Sequence, residues 1–259
     1  VMAAKFTIAS KLESIRSKQP WLVLSAAREF SIAQSKNPAI SHFYTFEASE
    51  SVEEAIAIPD GCIDVLFDCD SSQPSAEVFG TPMAAIDIHL QRQHRYFGVR
   101  FSSSVMPDCF DLSAQELIAH HYGLVDLVPD ANQLVEAVVG QADFTHQVSS
   151  FEGFFNNKRM RRLSNLTESI VRYTLDHQGN VRIDDLAAYC GYTTRTIQRQ
   201  FRADTGMSPK SFARIIRCQS AVYNINHHDH LAFSDIAFDL GFSDQSHFLR
   251  EFKQLVNST

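Results

Sequence analysis

The chain is 259 residues long, with 44% hydrophobic and 20% charged residues, a balance typical of globular proteins. This length favours two domains of roughly 100–200 residues each. The apolar runs are short and broken by charge, which excludes a bilayer-spanning segment of about 20 apolar residues. The sequence also shows no recognisable secretory signal, so we expect a cytoplasmic protein. The net charge of −7 is divided unevenly: residues 1–157 hold 9 Lys+Arg and 20 Asp+Glu (net −11), whereas residues 158–259 hold 14 and 10 (net +4). This asymmetry favours a basic half that meets phosphates and an acidic half with another role.

The N-terminal half reads as short strands followed by helices. Expected strands lie at 42–46, 55–58, 62–68, 76–79, 85–90 and 96–101, and expected helices at 113–120, 131–140 and 143–156. Turn residues such as Pro59-Asp60-Gly61 separate the strands. Strands of this length and spacing predict a small antiparallel barrel or sandwich.

Three arginines lie around the last expected strands, and they are the candidates for binding an anionic small-molecule effector. They are Arg92, Arg95 and Arg100. Arg100 has an alternative structural role, in which it closes the end of the barrel by pairing with a buried carboxylate such as Asp64. The sequence leaves both roles open.

Histidines and cysteines give no metal or catalytic signature. A cupin metal site needs a His-x-His pair with a nearby Glu, whereas His89 and His94 lie five residues apart; the clusters His120-His121 and His227–His230 are typical of polar surface. The five scattered cysteines contain no Cys-x-x-Cys, so we expect reduced, buried thiols rather than disulfides or a zinc finger. Because no catalytic or phosphate-binding motif is present, we predict no catalytic residues, no metal and no cofactor.

The basic run 158–162 is expected to be a solvated linker or the start of a helix, with phosphate contact as the alternative. After it, the sequence predicts six short helices. They lie at 163–177, 182–189, 193–204, 209–226, 233–240 and 244–254. Two of these regions repeat, first at an offset of 50 residues and then of 51. The paired positions are Asp185/Asp235, Leu186/Ile236, Ala187/Ala237, Gly191/Gly241, Tyr192/Phe242, then Ile197/Phe248, Arg199/Arg250, Phe201/Phe252 and Arg202/Lys253.

Each copy of the repeat meets the requirements of a helix-turn-helix. A small alanine lets the second helix cross the first closely, and Gly191 or Gly241 suits a turn position with positive φ. The aromatic residues that follow, Tyr192 and Phe242, are expected to fill the gap between the two helices.

In the second helix of each copy, apolar residues face inward and long hydrogen-bonding side chains face outward. The candidate DNA-binding residues are Arg195, Gln198, Arg199 and Arg202 in copy one, and Gln245, Ser246, His247, Arg250 and Lys253 in copy two. Arg can bond guanine bidentately and Gln can pair with adenine, each pair contributing roughly 1–3 kcal/mol of discrimination. A single surface Arg is more often merely solvated, so the inference depends on the agreement of two copies.

The C-terminal strings resemble the DNA-binding domain of the AraC/XylS transcriptional regulators. The resemblance is carried by Asp184 to Thr193, Arg195, Ile197 to Arg199, Phe201, Thr205-Gly206, Ser208-Pro209, Arg214 and Arg217, and by Ile236 to Phe248, Arg250, Phe252 and Lys253. It implies a seven-helix domain whose long helix, around 209–226, holds two recognition helices apart, so that one monomer enters two successive major-groove faces. It also implies base contacts from Arg195, Gln198 and Arg199 in copy one and from Gln245, Ser246 and Arg250 in copy two.

Two departures from that pattern concern copy two. Leu249 stands where copy one has Gln198, which predicts a weaker reader. The family usually continues past the second phenylalanine with a Gly-x-Ser-Pro turn and a last helix, whereas this sequence stops at Thr259. Either the segment is truncated or this member lacks it, and both alternatives predict reduced support under the second recognition helix.

The strings Ile58 to Phe67 and Tyr96 to Phe101 are similar to the cupin-like effector domains of some AraC-type regulators, which implies a ligand-binding barrel followed by dimerisation helices. The predicted fold class is therefore α+β: a cupin-like antiparallel β-barrel or sandwich with helices over residues 1–157, and an all-α domain with two helix-turn-helix motifs over 158–259. The predicted function is a bacterial DNA-binding transcriptional regulator. Its expected partners are double-stranded promoter DNA, a small-molecule effector, a second copy bound through the N-terminal half, and RNA polymerase. The alternatives are a cupin-type small-molecule-binding protein or metalloenzyme with a helical accessory domain, and an interaction module that uses its acidic half.

Overall fold

The first half of the chain forms strands and short helices, and the second half forms helices. A computed structural model describes residues 27–49, 55–70, 72–227 and 232–256. The strands are β1 Ala27–Gln34, β2 Ile40–Ala48, β3 Ala55–Ala57, β4 Asp64–Asp68, β5 Ser75–Phe79, β6 Ile86–Ile88, β7 Arg95–Phe101 and β8 His121–Gly123. The helices of the first half are α1 Ala114–Leu117, α2 Leu124–Leu127, α3 Ala131–Val139 and α4 Phe144–Phe155; those of the second are α5 Asn165–Asp176, α6 Ile183–Cys190, α7 Thr194–Thr205, α8 Pro209–His227, α9 Phe233–Asp239 and α10 Gln245–Val256.

Six strands form one antiparallel sheet in the order β1-β2-β7-β4-β5-β8, and β3 pairs with β6. At the centre of the sheet Gly98 lies opposite Tyr44 on β2 and Leu66 on β4. A Cβ at Gly98 would come within 2.0 Å of the Tyr44 ring, so this strand position must be a glycine for the aromatic side chain to lie across it.

The alternation of side chains along the strands gives the sheet two different faces. On one face, Phe43 and Phe97 are fully buried against Phe151 and Phe155 of α4. On the other face, Tyr44 and other side chains of the sheet lie opposite the β3–β6 pair, and the space between them contains a cavity.

The expected α+β class is confirmed, and each expected strand and helix is present with altered ends. Strands β1 and β8 and the short helix α2 were not expected from the sequence. Most of the His227–His230 cluster lies outside the described residues. None of the described helices combines the length and apolar character needed to cross a membrane.

In the basic run between the halves, Arg161 is packed against the N-terminal half, so the expectation of a solvated linker is wrong for this residue, whereas Arg159 and Arg162 are exposed. Its amide donates to the carbonyl oxygen of Met106 at 2.8 Å. Its guanidinium donates to the carbonyl oxygens of Phe110 and Leu112 at 3.2 and 3.0 Å. These bonds fix the point where the chain leaves the sheet domain.

Candidate nucleic-acid interface and ligand cavity

Helix α7 carries the first set of candidate DNA-binding residues. It begins after Thr193, whose hydroxyl accepts a hydrogen bond from the Thr196 amide at 3.3 Å. Ile197 and Phe201 lie four residues apart and are fully buried, which fixes the rotation of the helix. The opposite side exposes Arg195, Gln198, Arg199 and Arg202, and none of these side chains has a hydrogen bond or ion pair with a described residue. This exposed stripe is free to contact a ligand.

Helix α10 carries the second set. It begins after Asp244, whose carboxylate accepts a hydrogen bond from the His247 amide at 2.7 Å, and Phe248 anchors it in the core. Gln245, Ser246, Arg250 and Lys253 are exposed. His247 is half-buried: its Nδ1 lies 3.1 Å from the hydroxyl of Ser243, and its Nε2 lies 3.9 Å from Oε1 of Glu251. His247 is therefore less available to DNA than the other four.

The turns of the two copies agree with the expectation for glycine but differ in the aromatic residue. Gly191 and Gly241 have φ values of +71° and +72°, a region that favours glycine. Phe242 is buried as expected, but Tyr192 is 53% exposed, so the expectation that it fills the gap is wrong. The core of copy one is filled by other residues, among them the fully buried Phe201.

The long helix α8 joins the two copies and packs against both of them. Phe212 and Ile215 belong to the core of copy one, and Ala221 belongs to the core of copy two. A cleft of about 650 Å³ lies alongside this helix, bordered by Gln198 of α7 and His247 of α10. Its charged lining residues are Arg182, Lys210, Arg214 and Arg217 together with Asp184 and Glu251. Both recognition helices thus border one cleft with an excess of positive charge.

Two arginines of the family pattern have structural contacts that were not predicted from the sequence. Arg217 donates to the carbonyl oxygen of Gly179 at 3.2 and 3.3 Å, and its guanidinium lies 4.9 Å from the ring centroid of Phe242. Arg214 Nε lies 3.4 Å from Oε1 of Glu251 on α10. Both side chains hold α8 against neighbouring elements, and their partners are too distant in sequence to be recognised by spacing.

The end of the second recognition helix is supported by the N-terminal half, so the expectation of reduced support is wrong. Leu255 is buried in a cluster with Ile58 of the sheet domain and with Cys218 and Val222 of α8. The amide of Ala85 donates to the carbonyl oxygen of Leu255 at 2.8 Å. The position of α10 is therefore coupled to the loops around β3 and β6.

Only one of the three arginines proposed to bind the effector lines the cavity in the N-terminal half. Arg100 lines it, whereas Arg92 and Arg95 are exposed and do not. Arg95 donates from Nη1 to the carbonyl oxygen of Ala142 at 3.3 Å. About 70 Å³ of the cavity can be reached by the centre of a water molecule.

The alternative role of Arg100, pairing with Asp64, is present, and a second carboxylate joins it. Nη2 of Arg100 lies 2.8 Å from Asp64 Oδ2 and 3.0 Å from Asp60 Oδ2, and the hydroxyl of Tyr44 donates to Asp64 at 3.2 Å. Burial raises the pKa of Asp60 to about 6 against the opposing effect of Arg100, with a further increase from Asp64. Burial, and secondly the charge of Arg100, lowers the pKa of His42 well below its ordinary value.

Among the described residues, no three His, Cys, Asp or Glu side chains are grouped so that they could hold a metal ion. His89 is exposed, and His94 pairs through Nδ1 with Asp68 at 2.8 Å. None of the five cysteines forms a disulfide with a described residue; Cys62, Cys69 and Cys218 are buried as expected, and Cys109 and Cys190 are partly exposed.

Comparison with known proteins shows that the C-terminal part matches a helix-turn-helix domain. Residues 186–259 match a family model described as a helix-turn-helix domain, and residues 34–123 match a domain of unknown function. The transcriptional activator RhaS of Klebsiella pneumoniae (strain 342) is 29% identical over 132 residues, 46% of this chain and 47% of RhaS. RhaS of Escherichia coli O157:H7 is 31% identical over 100 residues, 36% of each chain.

These alignments span less than half the length of the curated relatives. A crystal structure of ToxT from Vibrio cholerae O395 is similar over 89% of this chain and 93% of ToxT, with 16% identity and a TM-score of 0.41. With its tandem helix-turn-helix units, the C-terminal part of the chain is similar in sequence to these transcriptional activators.

Proposed function

We propose that this chain is a sequence-specific DNA-binding transcriptional regulator in which both helix-turn-helix units read one duplex. The observation that carries the proposal is the shared cleft, bordered by Gln198 of α7 and His247 of α10 and lined by four basic side chains. Phosphate contacts from Arg182 and Lys210 of the lining would set the register of the protein, and the exposed side chains of the two helices would read base edges.

The two copies contribute unequally in this proposal. In copy one, Arg195, Gln198 and Arg199 are exposed and free for base contacts, with Arg202 beside them. In copy two, Gln245, Ser246, Arg250 and Lys253 are exposed, but His247 is engaged with its own helix and Leu249 is 39% exposed among them. We expect copy one to supply most base discrimination and copy two to supply more of the positioning.

The proposal also assigns the two halves. Residues 158–259 form the DNA-binding domain, and residues 1–157 form an effector-binding and dimerisation domain, with Arg100 as the effector candidate that lines the cavity. The resemblance to the AraC/XylS regulators supports a homodimer formed through the N-terminal half, contact with RNA polymerase at promoters, action in the cytoplasm and the absence of a catalytic role. Sedimentation equilibrium of the full chain tests the dimer.

Selection of duplexes from a random-sequence library by the full chain, followed by fluorescence anisotropy on the enriched sequence, tests DNA reading. Arg199→Ala should weaken binding to the enriched duplex by about 10- to 100-fold and relax the preference at one base pair, because it removes one bidentate pair worth roughly 1–3 kcal/mol. Arg172→Ala is the matched control, since Arg172 is exposed on α5 of the same domain and does not line the cleft. Equal losses on enriched and random DNA for Arg199→Ala would contradict its role as a base reader.

Lys253 tests the positioning role of copy two. If it contacts a phosphate, Lys253→Ala should weaken binding evenly across sequences and lower the slope of log affinity against log salt by about 1. A change in base preference without a change in that slope would contradict the assignment.

A further inference from the structure

The two recognition helices pack on their cores in the same way. The side chains of Thr193 and Asp244, which are 51 positions apart, each accept a hydrogen bond from the backbone amide three residues further on, at 3.3 and 2.7 Å. Ile197 and Phe248, at the same offset, are both fully buried. Because the caps and the buried anchors match, corresponding positions of α7 and α10 lie on corresponding sides of their helices.

Leu249 of α10 therefore takes the place that Gln198 has on α7. The exposed stripe of copy one is Arg195, Gln198, Arg199 and Arg202, and its counterpart in copy two is Ser246, Leu249, Arg250 and Lys253. Leu249 is 39% exposed, whereas the other apolar side chains of α10 are buried or half-buried. A single exposed leucine indicates no binding surface by itself, but this one lies within the stripe that is proposed to face the bases.

The fold does not depend on Leu249. Phe248 and Leu255 are the fully or nearly buried side chains that anchor α10, the first in the core of copy two and the second against Ile58 of the sheet domain. The polar side chains three and four residues from Leu249, Ser246 and Lys253, are exposed beside it. An apolar side chain at this position thus serves contact with a ligand rather than packing.

A leucine in the major groove can neither donate nor accept a hydrogen bond. Against the edge of guanine or adenine, its side chain would displace water from polar groups without replacing their hydrogen bonds. Thymine differs, because it carries a C5-methyl group in the major groove that the other bases lack. Contact between this methyl group and a leucine side chain removes apolar surface of both from water.

We infer that Leu249 selects thymine at one position of the DNA site by packing on the C5-methyl group of that base. The inference rests on the proposed function and extends it. Copy two reads this base through an apolar contact, whereas at the corresponding position copy one uses the amide of Gln198.

Deoxyuridine substitution tests the inference, because deoxyuridine keeps the hydrogen-bonding groups of thymine and lacks only the methyl group. Each thymine of the enriched duplex is replaced in turn, and binding of the full chain is measured by fluorescence anisotropy. One replacement should weaken binding about three- to fivefold, since burying one methyl group contributes about 0.8 kcal/mol, equivalent to about fourfold. This thymine should lie in the part of the site where Arg250→Ala, and not Arg199→Ala, relaxes the base preference.

Variants of Leu249 assign the methyl effect to this side chain. With Leu249→Ala, the same deoxyuridine replacement should change the affinity by less than about 1.5-fold, as expected for a pair that no longer interacts. Leu249→Met keeps an apolar side chain of similar size and should keep the effect. Gln198→Ala alters the matching position of copy one and should also keep it. If Leu249→Ala does not fold, Leu249→Gln removes the same apolar contact with the side chain that copy one carries, and it should abolish the effect.

The inference and the proposed function can fail separately. An enriched duplex in which no thymine methyl group affects binding overturns the inference alone. A methyl effect that is as large without the leucine as with it, or that is confined to the part of the site read by Arg199, also overturns the inference alone. A chain that enriches no duplex contradicts the proposed function and, with it, the inference.

Discussion

Two glycines that end neighbouring helices differ in their surroundings and give a matched pair of substitutions. Gly191 ends α6 at φ +71° with no atom within 4 Å of an added Cβ, whereas Gly206 ends α7 at φ +77° with Ala114 O and Gln115 Cα at 2.7 and 2.9 Å. An L-residue in this region costs about 1–2 kcal/mol, which is the expected loss for Gly191→Ala. Gly206→Ala adds an overlap with backbone of the N-terminal half, which we expect to cost roughly another 1–3 kcal/mol.

Thermal unfolding followed by circular dichroism measures the difference. One kcal/mol corresponds to about 2–4 °C for a domain of 150–250 residues, so Gly191→Ala should lower the Tm by a few degrees and Gly206→Ala by about twice as much. Gly153→Ala is the control, because Gly153 lies within helix α4 with open space around it and should gain about 0.5–1 kcal/mol. Equal Tm values for the Gly191 and Gly206 variants would refute the contact between α7 and α1.

Three further substitutions test the buried groups that join the halves and line the cavity. Leu255→Ala should lower the free energy of unfolding by about 2–5 kcal/mol in urea titrations, and the partly exposed Leu249→Ala by less than about 1; equal losses would contradict the packing of α10 on the sheet domain. The lowered pKa of His42 means that its stabilising contribution is complete above pH 6.5 and is lost on acidification, so His42→Gln should lose less stability between pH 7 and 5 than the unmodified chain. The raised pKa of Asp60 has the opposite effect: its contribution to stability is complete at low pH and is lost as the pH rises through about 6. The free energy of unfolding of the unmodified chain should therefore decline between pH 4 and 6, and Asp60→Asn should remove this decline. If the pH dependence of stability is unchanged in the His42 and Asp60 variants, the burial of the two groups is contradicted.

The helices of the C-terminal half could be predicted closely because their signals are local. Thr193 and Gly206 mark the two ends of α7, and the spacing of Ile197 and Phe201 fixes which side is buried. The position of Tyr192 could not be predicted, since whether an aromatic residue enters a core depends on which other side chains already fill it. For that residue, the analogy with Phe242 was misleading.

The cavity was predictable only in part. The pairing of Arg100 with a carboxylate follows from charge, but the choice of Asp60 as second partner depends on how the turn at 59–61 folds back over the sheet. The contact of that turn with Gln219 joins residues 160 positions apart, and no local pattern signals it. For the same reason the support of α10 by the N-terminal half could not be foreseen.

Methylation interference at guanine N7, a major-groove atom, tests the central claim most directly. With the full chain on an enriched duplex, the account predicts two clusters of interfering guanines about one helical turn apart. Arg199→Ala should remove interference in one cluster and Arg250→Ala in the other. A single cluster, or two clusters that both disappear with the Arg199 variant and neither with the Arg250 variant, would contradict the claim that both helix-turn-helix units read one duplex.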